Sequence, residues 1–228
     1  MLYKKIGVVV ADRDEYAPFV SAIDNRRSVN TPFKSAVSFD FAGSEVTVIL
    51  CGIGKVNAAA CATYLCDSGC ELILNFGLSG GLKETCRGEF ILPESFLEHD
   101  FDLTPLGYKP CEKPEQTYIY SANKPLLDKI SKAGFAKPGG TAVCGDRFIC
   151  SKADREFLIN TFCARSCDME TGAIASVCSM TGIPFISLRR ISDDASDTAT
   201  ESYNNMNKNE GMTLSDAFLR CLNIICEA

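Results

Sequence analysis

"FISLRRISDDASD", Phe185–Asp197, opens as an apolar run of strand length and closes with two arginines and three aspartates. Buried charge is costly unless it is paired or used. The segment therefore reads as a strand whose charges sit at its wet end or in a site, and in open sheets of parallel strands ligands gather at the carboxyl ends. The fold turns on whether the rest of the chain builds such a sheet.

Strand-length apolar runs alternate with helical patterns along the whole chain. Ile6–Ala11 reads as a strand, Tyr16–Ile23 as a helix, and Val37–Phe41 with Val46–Cys51 as a hairpin closed by Ala42, Gly43 and Ser44. In "GIGKVNAAACATYLC", Gly52 and Gly54 turn the chain into an alanine-rich helix. Leu72–Phe76 is a strand running into "GLSGGL", and "GEFILPES" supplies another. Pro105–Thr117 is irregular and polar, a connector or an active-site or interface loop. There follow a helix over Pro125–Ala133, a strand in "GGTAVCGDRFI", a helix opened by Ser151 with Asp154 three residues on, and a helix in "METGAIASVCSM". Asp194–Gly211 reads as a long loop with a short helical piece, and Thr213 with Asp216 caps a last amphipathic helix through Ile225. This alternation predicts one domain over residues 1–228, an α/β fold in three layers, α/β/α, around a central mixed, mostly parallel sheet.

Composition excludes several functions. With 228 residues, 46% hydrophobic and 23% charged, the chain has enough length for one large core. Acidic residues outnumber basic ones 29 to 23, and no Lys/Arg cluster offers the footprint of phosphate-backbone binding, so nucleic acid and anionic membrane are poor partners. The apolar run Ile6–Ala11 is too short for a signal segment or a membrane span. The 13 cysteines are scattered, lack any CxxC, and accompany a single histidine, His99. They read as small buried hydrophobes of a reducing, cytoplasmic setting rather than as zinc ligands or disulfides.

At the carboxyl ends of the strands stand Asp12, Asp14 and Glu15, then "CGIGK", "GLSGG", Phe148 with Ile149, and Arg189–Asp193. "GIGK" lacks the Ser or Thr that a phosphate loop places after its lysine, and Asn57 stands where a dinucleotide fingerprint needs its third glycine. A tight turn into a helix suffices for it. "GLSGG" reads either as a bend or as a place where a ligand approaches the backbone of Gly77, Gly80 and Gly81. Glu170 reads as a carboxylate at a helix start, favoured there by the dipole, or as a functional group. Asp193 reads likewise as a cap or a site, with Arg189 as its ion-pair partner on one strand face. Arg190 points to the opposite face, and Asp194 and Asp197 read as loop solvation.

Taken jointly, "GIGKVNAAA", "NFGLSGGL", "HDFDLTPLGY", "CGDRFI", "CDMETGAIASVC" and "LRRISDDASD" resemble the signatures of the 5′-methylthioadenosine/S-adenosylhomocysteine nucleosidases, of the purine nucleoside phosphorylase superfamily. The resemblance implies a nucleoside phosphorylase-like fold and hydrolysis of an N-glycosidic bond, with no cofactor and no metal. It implies that Asp193 is the general acid on adenine, with a raised pKa, and that Glu15 is the base that activates water. Glu170 would grip the ribose hydroxyls and face the developing positive charge. Met169 would pack on the sugar, Phe148 would stack on the base, and the Ile149 backbone would read the adenine edge. Ser192 and Arg189 would orient the acidic groups, while Ile53, Gly77 and Leu78 would complete the substrate contacts. Tyr203 would close over the adenine. The chain departs from the family pattern at Asp12, Leu78 and Ser79 and in its longer segment after Asp193. "DLTPLGYKP" resembles the loop that a partner subunit places over the 5′ end, which implies a homodimer.

Three alternatives stay open at this point. A phosphorylase of the superfamily needs arginines in an early loop, where Arg13 is the one candidate. A futalosine-type hydrolase shares the chemistry. A nucleoside-binding protein without turnover shares the fold. A nicotinamide-dependent dehydrogenase fails on the missing GxGxxG.

Overall fold

The valine-rich run at the N-terminus forms β1 (Lys5–Val10), buried on both faces, and the sheet grows outward from it. The computed structural model describes residues 3–206 and 212–227. In chain order after β1 come α1 (Arg13–Ser21), β2 (Arg27–Ser28), β3 (Ser35–Phe41), β4 (Ser44–Leu50), α2 (Lys55–Asp67), β5 (Leu72–Gly81), β6 (Phe90–Leu92) and β7 (Ser95–Glu98). A short 3₁₀ turn over Thr104–Leu106 precedes β8 (Tyr120–Ser121), α3 (Lys124–Ser131), β9 (Lys137–Pro138), β10 (Thr141–Cys144), α4 (Lys152–Phe162) and β11 (Ala164–Asp168). The chain ends with α5 (Thr171–Thr181), β12 (Phe185–Asp193), α6 (Ala199–Asn204) and α7 (Leu214–Cys226). Part of the expected loop Asp194–Gly211, residues 207–211, lies outside the described residues.

The sheet is mixed, as the sequence predicts. Parallel pairings run through β4–β1–β5–β12 and through β7–β10–β11. Antiparallel ones join β2–β3–β4, β7–β8 and β6–β12, and also the short contact where β11 meets the end of β5. The β3–β4 hairpin turns on Ala42 and Gly43 at φ 47° and 86°, the left-handed pair that suits the twist of a tight hairpin.

Side-chain alternation along β5 sorts the helices into two layers. Phe76 packs with Phe19 of α1 and Phe218 of α7, at ring separations of 5.2 and 4.2 Å. On the other face Ile73 meets Gly7, where an added Cβ would lie 2.9 Å from Ile73 and 3.0 Å from Leu65 of α2. Gly7 lets α2 sit close on the sheet, and α2 packs along α5.

Two features differ from the sequence expectation. "GLSGG" is no bend: β5 continues through it to Gly81, and its last residues pair with β11 (Gly80 with Cys167, Gly81 with Ser166). Strand β11 itself, "ARSCD", carries too little apolar alternation to be read as a strand. Its contact with β5 brings the two halves of the sheet together at the carboxyl ends. Among the described residues no helix is long and apolar enough to cross a membrane, and no group of three or more His, Cys, Asp or Glu is placed to hold a metal ion. All 13 cysteines are unpaired; most are buried, with Cys86, Cys150 and Cys163 exposed.

Candidate active site

One cavity opens where β1, β5, β11 and β12 end, and every sequence-derived site residue except Gly77 lines it. Strand β12 brings Arg189, Ser192 and Asp193; the β11–α5 junction brings Met169 and Glu170; the first turn of α1 brings Glu15; β5 brings Leu78. Ile53 stands on the turn before α2, Phe148 and Ile149 on the loop after β10, and Tyr203 on α6.

Arg189, only 3% exposed, is the hub. Its Nε donates to Ser79 Oγ at 2.8 Å and its Nη1 to Asn75 Oδ1 at 3.0 Å, while Nη2 donates to the Leu78 carbonyl. Its charge lies 3.8 Å from Asp168 Oδ2 and 3.9 Å from Glu170 Oε2. Gly77 explains the fit from behind the cavity: a Cβ there would stand 2.8 Å from Arg189 Nη1 and 3.0 Å from Glu15 Oε2. Its missing side chain makes room for Arg189 and Glu15 rather than for a ligand.

The expected Arg189–Asp193 pairing gives way to pairing with Asp168 and Glu170. The register of β12 against β5 shifts between Ile191 and Asp193, which turns Asp193 off the face that strict alternation assigns it. Asp193 is thereby buried away from the cation, and burial pushes its carboxyl above the usual range against two hydrogen bonds. Asp193 Oδ1 accepts the Ala195 N–H at 2.8 Å, and Oδ2 lies 2.6 Å from Ser192 Oγ. Ser192 Oγ also lies 3.2 Å from the Ser79 carbonyl. One hydroxyl proton cannot serve both acceptors. With Asp193 protonated, the carboxyl can donate to Ser192 and Ser192 to Ser79, so the network is complete in the acid form.

Glu170 is freed for a site role by a neighbour that sequence reading missed. Asp168 Oδ1 accepts the N–H of Glu170 at 2.9 Å and of Thr171 at 2.8 Å, doing the capping of α5 that Glu170 was positioned to do. Glu170 Oε1 instead accepts the Gly54 N–H at 3.1 Å. Glu15 Oε1 accepts the Leu78 N–H at 2.7 Å. Burial pushes the Glu15 and Glu170 carboxyls up to about 7, with Arg189 pulling the other way on both. Glu15 is only partly buried as a residue, but its carboxylate end is surrounded by protein.

At the other end of the cavity Phe148 meets Tyr203 edge to face at 5.8 Å. Arg87 holds α6 there through the Ser202 carbonyl at 2.7 Å. Asp197 does more than solvate its loop, since it accepts the Lys152 N–H at the start of α4 at 3.1 Å. Arg190 packs its guanidinium over Phe90 at 5.6 Å, on the face away from the cavity. The "GIGK" turn has Gly52 and Gly54 at φ 98° and 100°, and Lys55 points to Asp100 at 2.5 Å rather than into the cavity. The motif makes the expected turn into α2, and through that turn Ile53 lines the cavity and the Gly54 N–H reaches Glu170.

Residues 5–223 match the family model of the phosphorylase superfamily. The chain is 30% identical over 87% of its length to a 5′-methylthioadenosine/S-adenosylhomocysteine nucleosidase of Shewanella piezotolerans, covering 90% of that protein. Its structure is similar to that of the nucleosidase of Neisseria meningitidis in complex with methylthio-immucillin-A, with TM-score 0.85, 26% identity and coverage of 98% and 97% of the two chains. Its fold also matches the Helicobacter pylori enzyme at TM-score 0.91 and 24% identity, over 98% and 99% of the two chains. The chain belongs to the phosphorylase superfamily and, within it, to the 5′-methylthioadenosine/S-adenosylhomocysteine nucleosidase family.

Proposed function

We propose that this chain hydrolyses the N-glycosidic bond of 5′-methylthioadenosine, S-adenosylhomocysteine and related 5′-substituted adenosines, releasing adenine and a 5-thioribose. The observation that carries the reading is the meeting of Glu15, Glu170 and Asp193 in one cavity whose buried cation, Arg189, is already engaged by protein groups. Adenine leaves poorly as an anion, and the ribose becomes positive as the bond breaks. Asp193, whose hold on its proton is strengthened by burial away from Arg189, gives that proton to the imidazole-side nitrogen, and Ser192 follows the change by redirecting its hydroxyl. Glu15 takes the proton of the attacking water. Glu170 holds the ribose hydroxyls and stabilises the positive sugar. Phe148 and Tyr203 cover the base, the Ile149 backbone reads its edge, and Met169, Ile53 and Leu78 enclose the sugar and its 5′ group.

Phosphorolysis is disfavoured by the same geometry. The cavity's two arginines are Arg189, whose Nε, Nη1 and Nη2 already donate to Ser79, Asn75 and Leu78, and Arg147, paired with Asp154 at 3.1 Å; Arg13 is exposed and does not line the cavity. Adenine release from methylthioadenosine, adenosylhomocysteine and 5′-deoxyadenosine is therefore expected to proceed at the same rate with and without inorganic phosphate. A phosphate-dependent rate would make the chain a phosphorylase, and binding without release would make it a nucleoside-binding protein.

We read residues 1–228 as one such domain, and the 13 unpaired cysteines favour a reducing cytoplasm. We also read the chain as a homodimer. Leu106 and Tyr108, in the loop that resembles the family's partner-closing segment, are 72% and 38% exposed, and Ile53 at the cavity is 54% exposed. Apolar side chains this open beside a site are at home in an interface. Light scattering is expected to give the mass of two chains, and the mass of one would end the proposal.

A further inference from the structure

The loops that follow β4, β7 and β10 are tied by a closed ring of three residues, none of which lines the cavity. The Lys55 backbone N–H donates to Asp146 Oδ1 at 2.8 Å, the Asp146 backbone N–H donates to Asp100 Oδ2 at 3.0 Å, and Lys55 Nζ donates to Asp100 Oδ1 at 2.5 Å. Glu98 braces the ring, with Oε2 at 3.4 Å from Lys55 Nζ and its other oxygen on Lys113. Gly54 is fitted to it: φ is +100°, and an added Cβ would stand 3.0 Å from Asp146 Oδ1.

Each side of the ring reaches the cavity within a residue or two. Gly54, beside Lys55, gives its N–H to Glu170 Oε1 at 3.1 Å. Arg147, Phe148 and Ile149, which follow Asp146, line the opposite end. We infer that Asp146 is a positioning residue that locks the Gly54–Glu170 contact and the Phe148–Ile149 loop into one unit, so that the grip on ribose and the grip on base are set together. The assignment of ribose and base to these two grips rests on the proposed nucleosidase function; the lock between the two loops does not. Asp146 is itself exposed, but its bond to the Lys55 N–H also satisfies the start of α2, so Asp146→Ala is expected to lower stability modestly and the site role is read from the folded protein's activity and titration.

Two variants separate this role from a merely structural one. Asp146→Ala removes the acceptor for the Lys55 N–H, whereas Asp146→Asn keeps an oxygen there. Adenine release from methylthioadenosine is expected to fall about 10²-fold in kcat/KM for Asp146→Ala, the scale of a site misplaced by about 1 Å, and to return to near wild type for Asp146→Asn. The second readout needs no turnover: the carboxyl titration of Glu170, followed by carbon NMR and assigned with Glu170→Gln. Gly54 donates to the ionised form, so Asp146→Ala is expected to move the Glu170 midpoint upward and Asp146→Asn to leave it in place. Glu170 is faced by Arg189 on β12, Asp168 on β11 and Glu15 on α1, none of which changes in these variants. An unmoved midpoint in Asp146→Ala, or equal losses in both variants, overturns the inference. A wild-type chain that releases no adenine overturns the nucleosidase reading alone, and the titration still decides the lock.

Discussion

Asp193→Asn is expected to lower adenine release by about 10²–10⁴-fold, the usual worth of a proton-transfer group, while substrate still binds. Asparagine matches aspartic acid in size. Its carbonyl keeps the Ala195 N–H, and its amide can donate to Ser192 Oγ as the protonated carboxyl does. What it lacks is a proton it can give away. The loss is therefore expected in kcat with little change in KM, and titration calorimetry with methylthioadenosine is expected to show retained affinity. In the wild type, burial raises the Asp193 pKa, so the active acid form is lost only as pH rises past that raised value. The basic limb of the pH–rate profile is expected to vanish in the variant. A variant with unchanged kcat would remove Asp193 from the chemistry, and one that no longer binds would make it a binding group.

Much of this site was legible in the sequence because its backbone leaves local marks. The "GIGK" turn needs positive φ at Gly52 and Gly54, and the strand ending in "LRRISDD" carries more charge than an idle strand bears. What stayed hidden depends on registers that no local pattern encodes. Strict alternation puts Asp193 on the face of Arg189, whereas the shift between Ile191 and Asp193 undoes that alternation and leaves Arg189 to Asp168 and Glu170. Strand β11 leaves no local pattern because "ARSCD" is stabilised by its neighbours β10 and β5, not by an apolar face of its own. Asp168 at its end does carry a signal: an aspartate three residues before Thr171 is a helix cap in its own right. Gly77 reads in the sequence as a place where a ligand approaches the backbone, but the groups that approach it are the protein's own Glu15 and Arg189.

Glu15→Gln is expected to cost activity and to raise stability, and the two effects together identify the residue's role. A base must be ionised to accept the proton of water. With its pKa pushed up to about 7, chiefly by burial, Glu15 makes the wild-type kcat/KM fall as pH drops below that value. Gln still accepts the Leu78 N–H but cannot take a proton, so the rate is expected to fall by about 10²–10⁴-fold and the residual rate to lose this acidic limb. The same shift sets the sign for stability. Unfolded, the group titrates near its ordinary 4.5; folded, near 7, so the folded state holds the proton more tightly between those values. Wild-type stability therefore declines as pH rises through that window, and above about 7 the full cost of burying the charge is present. Gln carries no such cost. Its Tm is expected to exceed the wild type's above pH 7, the gap closing as pH falls to about 4.5. A lower Tm at every pH would make Glu15 part of the scaffold instead. A residual rate that keeps the acidic limb would pass the base to Glu170, the other carboxyl in the cavity raised to about 7.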